Sequence, residues 1–194
     1  LSKNIRPLPN LKEKDGEAFN AFTDKELRYR YRHLDLIANP EVMNVFKERA
    51  RIISALRSEL DAQDFIEVET PILQSIYGGA SARPFTTFHN TLNQKLFLRI
   101  ADELYLKRLI IGGFTKVYEI AKNFRNEGMD RKHNPEFTAL EFYQAYTDVY
   151  DMMDLTESII HNVAKTIDKK ILNFSKHTID ITQAFIRKSM FDLL

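Results

Sequence analysis

The sequence predicts an α+β fold, an antiparallel sheet flanked by helices, and three observations carry that prediction. Residues 117–125 and 137–146 alternate greasy and polar side chains with the period of two that marks a half-buried strand. The two stretches are neighbours in the chain and are joined by one loop, so they pair as an antiparallel hairpin. Residues 41–61, 102–111 and 151–167 repeat apolar side chains at helical spacing.

Composition narrows the function classes. The 194 residues are 44% hydrophobic and 28% charged, which suits one globular domain, or one domain plus part of another. A net charge of +1 gives no global basic field, so any RNA contact has to be local. The absence of cysteine excludes disulfides, thiolate metal sites and thiol nucleophiles. No apolar run approaches the roughly 20 residues of a membrane span, and no signal peptide is visible. The expectation is a soluble, cytoplasmic protein without a membrane partner. The chain opens on Leu1 rather than Met and is expected to be a piece of a longer polypeptide.

Residues 1–22 are polar, with Pro7, Pro9, Asn10 and Gly16, and read as one short strand followed by a linker. Residues 24–37, DKELRYRYRHLDLI, form a basic, aromatic helical stretch. Arg28, Arg30 and Arg32 beside Tyr29 and Tyr31 have the composition of a nucleic-acid surface. The preferred reading is plainer: snorkelling arginines and half-buried tyrosines. The longest helix follows at 41–61, with Pro40 in its first turn and Asn39 as its cap. Val42, Phe46, Ile53, Leu56 and Leu60 make its stripe; Val45 and Ile52 widen it enough to serve a core or a partner subunit equally.

Phe65 to Glu69 alternates as a strand that Pro71 ends or edges. Residues 77–84 form a flexible loop in which Gly78 and Gly79 allow close backbone approach or positive φ. Residues 85–89 and 96–100 read as short strands around a turn at 90–93. The helix at 102–111 is stopped by Gly112 and Gly113, and carries Glu103 in its first turn, where an acid complements the helix dipole. In 151–167, Met152, Leu155, Ile159, Ile160, Val163 and Ile167 share one side, which reads as core packing. A hairpin at 171–174 and 178–181 and a helix at 183–194 complete the chain. His161 and His177 have no partners in the sequence and read as structural.

The hairpin between these helices is the candidate functional element. Its first strand puts Tyr118, Ile120 and Phe124 on one face and Glu119, Asn123 and Arg125 on the other. Its second puts Leu140, Phe142 and Tyr146 on one face and Phe137, Glu141 and Tyr143 on the other, with Ala139 and Ala145 between. The linking residues 126–136 are charged and exceed the roughly two to five residues of a tight hairpin, as functional or mobile loops do. An acid and a phenol interrupt an apolar strand, and a guanidinium ends one strand beside the ring that begins the next.

FRNE followed by HNPEFTALEFY resembles motif 2 of the class II aminoacyl-tRNA synthetases in its lysyl form. The helix–strand–proline run at 41–71 is similar to motif 1, the dimer element of that class. GGASARPF and LRIADELYLKRL resemble the lysyl members as well. The resemblance implies ATP, L-lysine and tRNA(Lys) as partners, Mg2+ accompanying ATP, and a homodimer through residues 41–71. For ATP it implies Arg125 as the catalytic residue on the α-phosphate and the attacking carboxylate, His133 toward the γ-phosphate and Phe137 against adenine. Asn126, Glu127 and Asn134 fall at the remaining nucleotide-binding positions. For lysine it implies Gly79 in the covering loop, Glu103 on the α-ammonium, Glu141 on the ε-ammonium, and Tyr143 as a neighbouring acceptor. The physical logic is that a buried, unpaired ammonium is very costly, so a carboxylate must meet it.

The class also carries motif 3, a glycine-rich strand and helix with an adenine-capping arginine, and no such segment occurs in these residues. The acidic metal ligands that precede motif 3 are absent too, so no metal ligand is expected in this chain. The likeness assigns residues 23–194 to the first part of the catalytic domain, and 1–22 to the end of an anticodon-binding OB barrel and its linker. By itself the chain is expected to be inactive or nearly so. Two other readings remain: the related enzyme that attaches a lysine-like residue to a translation elongation factor, and a non-catalytic dimerisation module. The junction-like stretch 1–37 favours the synthetase over the first of these.

Overall fold

Two long strands, β7 (Lys116–Phe124) and β8 (Glu136–Gln144), pair antiparallel at the centre, with Tyr118 opposite Phe142, Ile120 opposite Leu140 and Glu119 opposite Glu141. This computed structural model describes residues 22–193 and the backbone of two short paired strands, β1 (Lys12–Lys14) and β2 (Glu17–Phe19). Apart from these, the strand, linker and barrel end expected over 1–22 lie, up to residue 21, outside the described residues.

The alternation read from the sequence settles which face of the hairpin is covered. Tyr118, Ile120, Leu140 and Phe142 turn toward α3 (Glu41–Ala62) and α5 (Val149–Thr166). There they meet Leu56, Leu60, Phe65, Met152, Leu155, Ile159 and Val163 in the main core. Fully burying a side chain of this size contributes roughly 1.5–3 kcal/mol, so this layer is the main source of cohesion. The Tyr118 hydroxyl ends at the core margin and donates to Asp61 Oδ1 at 2.9 Å. Ser158 and Asn162 of α5 donate to Glu59 of α3, locking the two helices in register.

The opposite face of the hairpin receives α4 (Glu103–Ile111), whose Leu106 is fully buried. A second sheet, β4 (Leu73–Gln74), β6 (Gln94–Leu98) and β5 (Thr86–His89), lies beside the first. Arg99 joins them: its amide donates to Ile72 O at 2.9 Å, and its carbonyl accepts from the amide of Phe124 at 2.9 Å. Its guanidinium reaches Lys122 O, Thr70 and Glu119.

Several sequence expectations are corrected. The helix expected over 24–37 is two helices, α1 (Lys25–Arg30) and α2 (Arg32–Ala38), broken at Tyr31. Tyr31 leaves the helical region at φ −113° and ψ 56°, and Arg28, Arg32 and Asn39 all turn onto buried Asp35 across the break. Asn39 therefore does not cap α3: its amide donates to Asp35 Oδ1 and Phe22 O, and Pro40 begins the helix without a side-chain cap. The strand expected over 65–69 shrinks to β3 (Ile66–Glu67), paired parallel to β7: the Phe65 amide is spent on Leu60 O at the end of α3, and only the Val68 amide carries the pairing further, to Tyr118 O. Tyr146 does not extend the greasy face. β8 ends at Gln144, and Tyr146 is fully exposed at φ 60°. Ile160 is more than one-third exposed rather than packed.

After the hairpin of β9 (Ile171–Phe174) and β10 (His177–Asp180), the helix expected at 183–194 is only a 3-10 turn at Met190–Leu193. Its upstream residues are tied to α5 instead. The amide of Phe185 donates to Glu157 Oε1 at 3.0 Å, and Arg187 pairs with Asp154 and Glu157.

Candidate active site

Arg125 sits one residue beyond β7, and its amide donates to Pro135 O at 2.8 Å, closing the neck of the 126–136 loop. The neck fixes its side chain over Phe137, with the guanidinium carbon 5.0 Å from the ring centroid. Arg125 Nε is buried with no hydrogen-bond partner. A buried, unanswered donor is costly, and this one adjoins a cavity. The cavity, about 220 Å³, is lined by Arg125, Glu127, Lys132, His133, Asn134 and Phe137 among others. Its lining sets an aromatic face, Phe137, beside two cationic side chains, Arg125 and Lys132.

The loop is held from both sides. Asp130 pins the turn below the cavity: its Oδ1 accepts from the amides of Lys132 (2.6 Å) and His133 (2.8 Å), and its Oδ2 meets His133 Nδ1 at 2.8 Å. These bonds, the Lys132 amide first, hold the Asp130 carboxyl below the usual range. Asn134 Nδ2 donates to Glu136 O at 2.6 Å. Asn126 and Glu127 turn instead toward the 77–84 loop, clasping the backbone of Arg83 through Asn126 N (2.7 Å) and Glu127 Oε1 (3.3 Å). Asn126 therefore lies in a neighbouring open cleft that shares Glu127 with the cavity.

Four residues along β8 from Phe137, about 13 Å by strand rise, the same face becomes acidic. Glu141 is half-buried, and Tyr143 donates its hydroxyl to Glu141 Oε2 at 2.9 Å. The sequence reading had Tyr143 as an acceptor; here its proton is spent on Glu141. Burial first, and then the influence of the Asp102 carboxyl, push the Glu141 carboxyl up to about 7. Glu103 adds to this from the start of α4, although its Oε1 is met by Lys107 Nζ at 2.5 Å.

Gly79 roofs this end at φ +85°. A Cβ there would stand 2.9 Å from the Cβ of Glu103 and 3.2 Å from that of Ala101. The structure thus gathers Gly79, Glu103, Glu141 and Tyr143 at one end of the face. Arg125, Glu127, His133, Asn134 and Phe137 gather at the other, with Asn126 to one side.

Sequence reasoning missed three residues here. Asp102 is fully buried, accepts from Asn123 Nδ2 at 3.0 Å through Oδ1, and has no partner at Oδ2. Its signal was the pair of consecutive acids opening α4. Asn123, its donor, was placed on the correct face without a role. Asp130 had no signal beyond its place in a charged loop. The arginines of 24–37 are committed to acids rather than snorkelling, Arg28 and Arg32 to Asp35 and Arg30 to Glu26, and Tyr29 and Tyr31 are exposed rather than half-buried. Among the described residues no cluster of three or more His, Asp or Glu side chains is placed to hold a metal ion. No helix among them is long and apolar enough to cross a membrane.

Residues 24–193 match the model for tRNA synthetases class II (D, K and N). A lysine–tRNA ligase of Teredinibacter turnerae is 51% identical over 99% of this chain and 38% of its own length. One of Prochlorococcus marinus is 52% identical over 100% of the chain and 37% of its own length. One of Carboxydothermus hydrogenoformans is 58% identical over 86% and 33%. The chain spans little more than a third of the length of these curated relatives.

Proposed function

The chain belongs to the class II tRNA synthetases of the D, K and N group, and from that premise we propose that it supplies the lysine- and ATP-binding face of a lysine–tRNA ligase. The observation that carries this is the charge of the amino-acid end. The group's three substrates differ at the side chain: a carboxylate, an ammonium or an amide. A carboxylate substrate calls for a cation in the pocket. Here Asp102, Glu103 and Glu141 converge, and Lys107 is taken by Glu103. Among the described residues that end of the face is acidic, which suits a cationic substrate.

In the reaction, a carboxylate oxygen of lysine attacks the α-phosphorus of ATP, the bond to the β-phosphate oxygen breaks, and pyrophosphate leaves. The carboxylate is ionised at neutral pH, so positioning and charge stabilisation suffice, without a general base. Arg125 would hold the α-phosphate and the attacking carboxylate together, with Phe137 stacking adenine and His133 and Lys132 toward the outer phosphates. Magnesium would travel with ATP; the described residues form no seat for it, and no step is assigned to it.

Transfer to tRNA(Lys), the barrel assignment of residues 1–22 and the catalytic-domain assignment of 23–194 belong to the same reading. So does a homodimer through residues 41–71, for which exposed Val45 (65%), Phe46 (46%) and Ile66 (49%) offer the surface.

Pyrophosphate exchange by the intact protein with lysine, aspartate and asparagine as separate substrates tests the reading. Exchange driven by lysine is expected; exchange driven by aspartate or asparagine in its place refutes it.

A further inference from the structure

Resting on the lysine and ATP reading, we propose that Glu127 and the backbone of Arg83 form a joint between the two ends of the face, through which ATP and lysine strengthen each other's binding. Toward the lysine end Glu127 is a positioning residue, acting through Arg83.

The loop at 77–84 has two anchorages. At its start it lies against α4: a Cβ at Gly78 would stand 2.7 Å from Leu104 Cδ1, and one at Gly79 2.9 Å from the Cβ of Glu103. The Tyr77 ring packs on Phe97 there, with centroids 4.9 Å apart. At its far end, Arg83 O accepts from the Asn126 amide at 2.7 Å, and the Arg83 amide donates to Glu127 Oε1 at 3.3 Å. Among the described residues these are the only hydrogen bonds the loop makes. Ser81 and Arg83 are exposed, so packing holds the stretch between only lightly. A loop held by so few bonds opens at small cost, and whatever steadies its clasp steadies its roof.

The clasp belongs to the nucleotide end. The Glu127 amide donates to Arg125 O at 2.9 Å, and the Arg125 amide to Pro135 O at 2.8 Å, so clasp and neck are one run of hydrogen bonds. Glu127 and Gly128 line both the cavity beside Phe137 and the cleft formed with Tyr77, Ser81 and Arg83. A nucleotide in that cavity fixes Glu127, and a fixed Glu127 fixes Arg83 and the roof over Glu103. Lysine beneath a steadied roof loses less freedom on binding, and by linkage it returns the same factor to the nucleotide.

Calorimetric titration of the intact protein with L-lysine, alone and with saturating magnesium α,β-methylene-ATP, measures the coupling. The bridging carbon of that analogue blocks adenylate formation. A gain of about fivefold or more in lysine affinity is expected, with the same gain for the analogue when lysine is saturating. Glu127→Ala should abolish the factor, so that lysine binds equally with and without the analogue. A side chain that merely supported the fold would weaken lysine binding in both conditions and leave their ratio unchanged.

Independent or mutually weakened binding in the unaltered protein, or an undiminished factor in the variant, overturns the joint while leaving the lysine reading intact. Failure of lysine to bind the unaltered protein overturns that reading and the joint with it. Should the variant fail to fold or to bind the analogue, hydrogen exchange of the unaltered protein decides. Slower exchange at the Arg83 and Asn126 amides on adding the analogue alone supports the joint, and unchanged exchange there refutes it.

Discussion

Arg99 donates to Glu119 at 2.7 Å, and this buried pair bolts the two three-stranded sheets together beside the acid pocket. Glu119 lies opposite Glu141 across the β7–β8 register, so the bolt and the pocket share a wall. Thr70 donates to the other oxygen of Glu119, and Arg99 reaches Lys122 O, so the pair is well answered. Removing one partner strands a buried charge. Arg99→Met is expected to cost ~3–5 kcal/mol of stability, and Arg99→Met with Glu119→Leu to recover most of it. Urea unfolding of the two single variants and the double one measures the coupling; strict additivity would show that the pair is not a unit.

Gly79 is needed at its position for two separate reasons, its φ of +85° and the 2.9 Å gap to Glu103. Gly79→Ala strains the backbone by roughly 1–2 kcal/mol and pushes on the helix start that carries Asp102 and Glu103. On the proposed reading the lysine requirement rises at least tenfold while the ATP requirement moves little, and the unfolding midpoint falls by roughly 2–8 °C, as that strain implies. Equal rises in the two requirements would place the loop elsewhere in the reaction.

Glu141→Gln keeps the shape and hydrogen-bonding capacity of the side chain and removes its charge. If Glu141 meets the ε-ammonium, about 2–5 kcal/mol of lysine affinity is lost, which is thirtyfold or more. ATP, held some four residues along the strand, is unaffected. Exchange kinetics with each substrate varied in turn distinguish the two ends of the face.

The hairpin was the most legible part of the chain because its information is periodic. Tyr118, Ile120, Leu140 and Phe142 alternate with Asn123, Phe137, Glu141 and Tyr143, and a period of two admits only one division of faces. Arg125 over Phe137 followed from their places at the two ends of one loop. Illegible were relations set by a distant residue. Nothing local says that 24–37 breaks at Tyr31, or that Glu157 and Asp154 draw 183–189 away from helix. Asp102 escaped notice for a similar reason: an acid opening a helix is common, and only burial beside Glu141 gives it a different meaning.

Asp130 gives the loop an acid-sensitive pin. Its carboxyl is held below the usual range by the Lys132 amide, then by the ring and amide of His133. A carboxylate depressed in the folded loop binds protons more readily once the loop opens, so acid favours the open form. The pinning is therefore complete above the ordinary carboxylate range and is lost as pH falls through the depressed folded value. Hydrogen exchange at the Lys132 and His133 amides should quicken over that window, while β7 and β8 remain protected. Asp130→Asn removes the charge at every pH, so the same amides should exchange quickly even at neutral pH, and the ATP requirement should rise several-fold as His133 loses its tether. Amides that stay protected in the variant would show that the neck at Arg125 and Pro135, rather than Asp130, sets the loop.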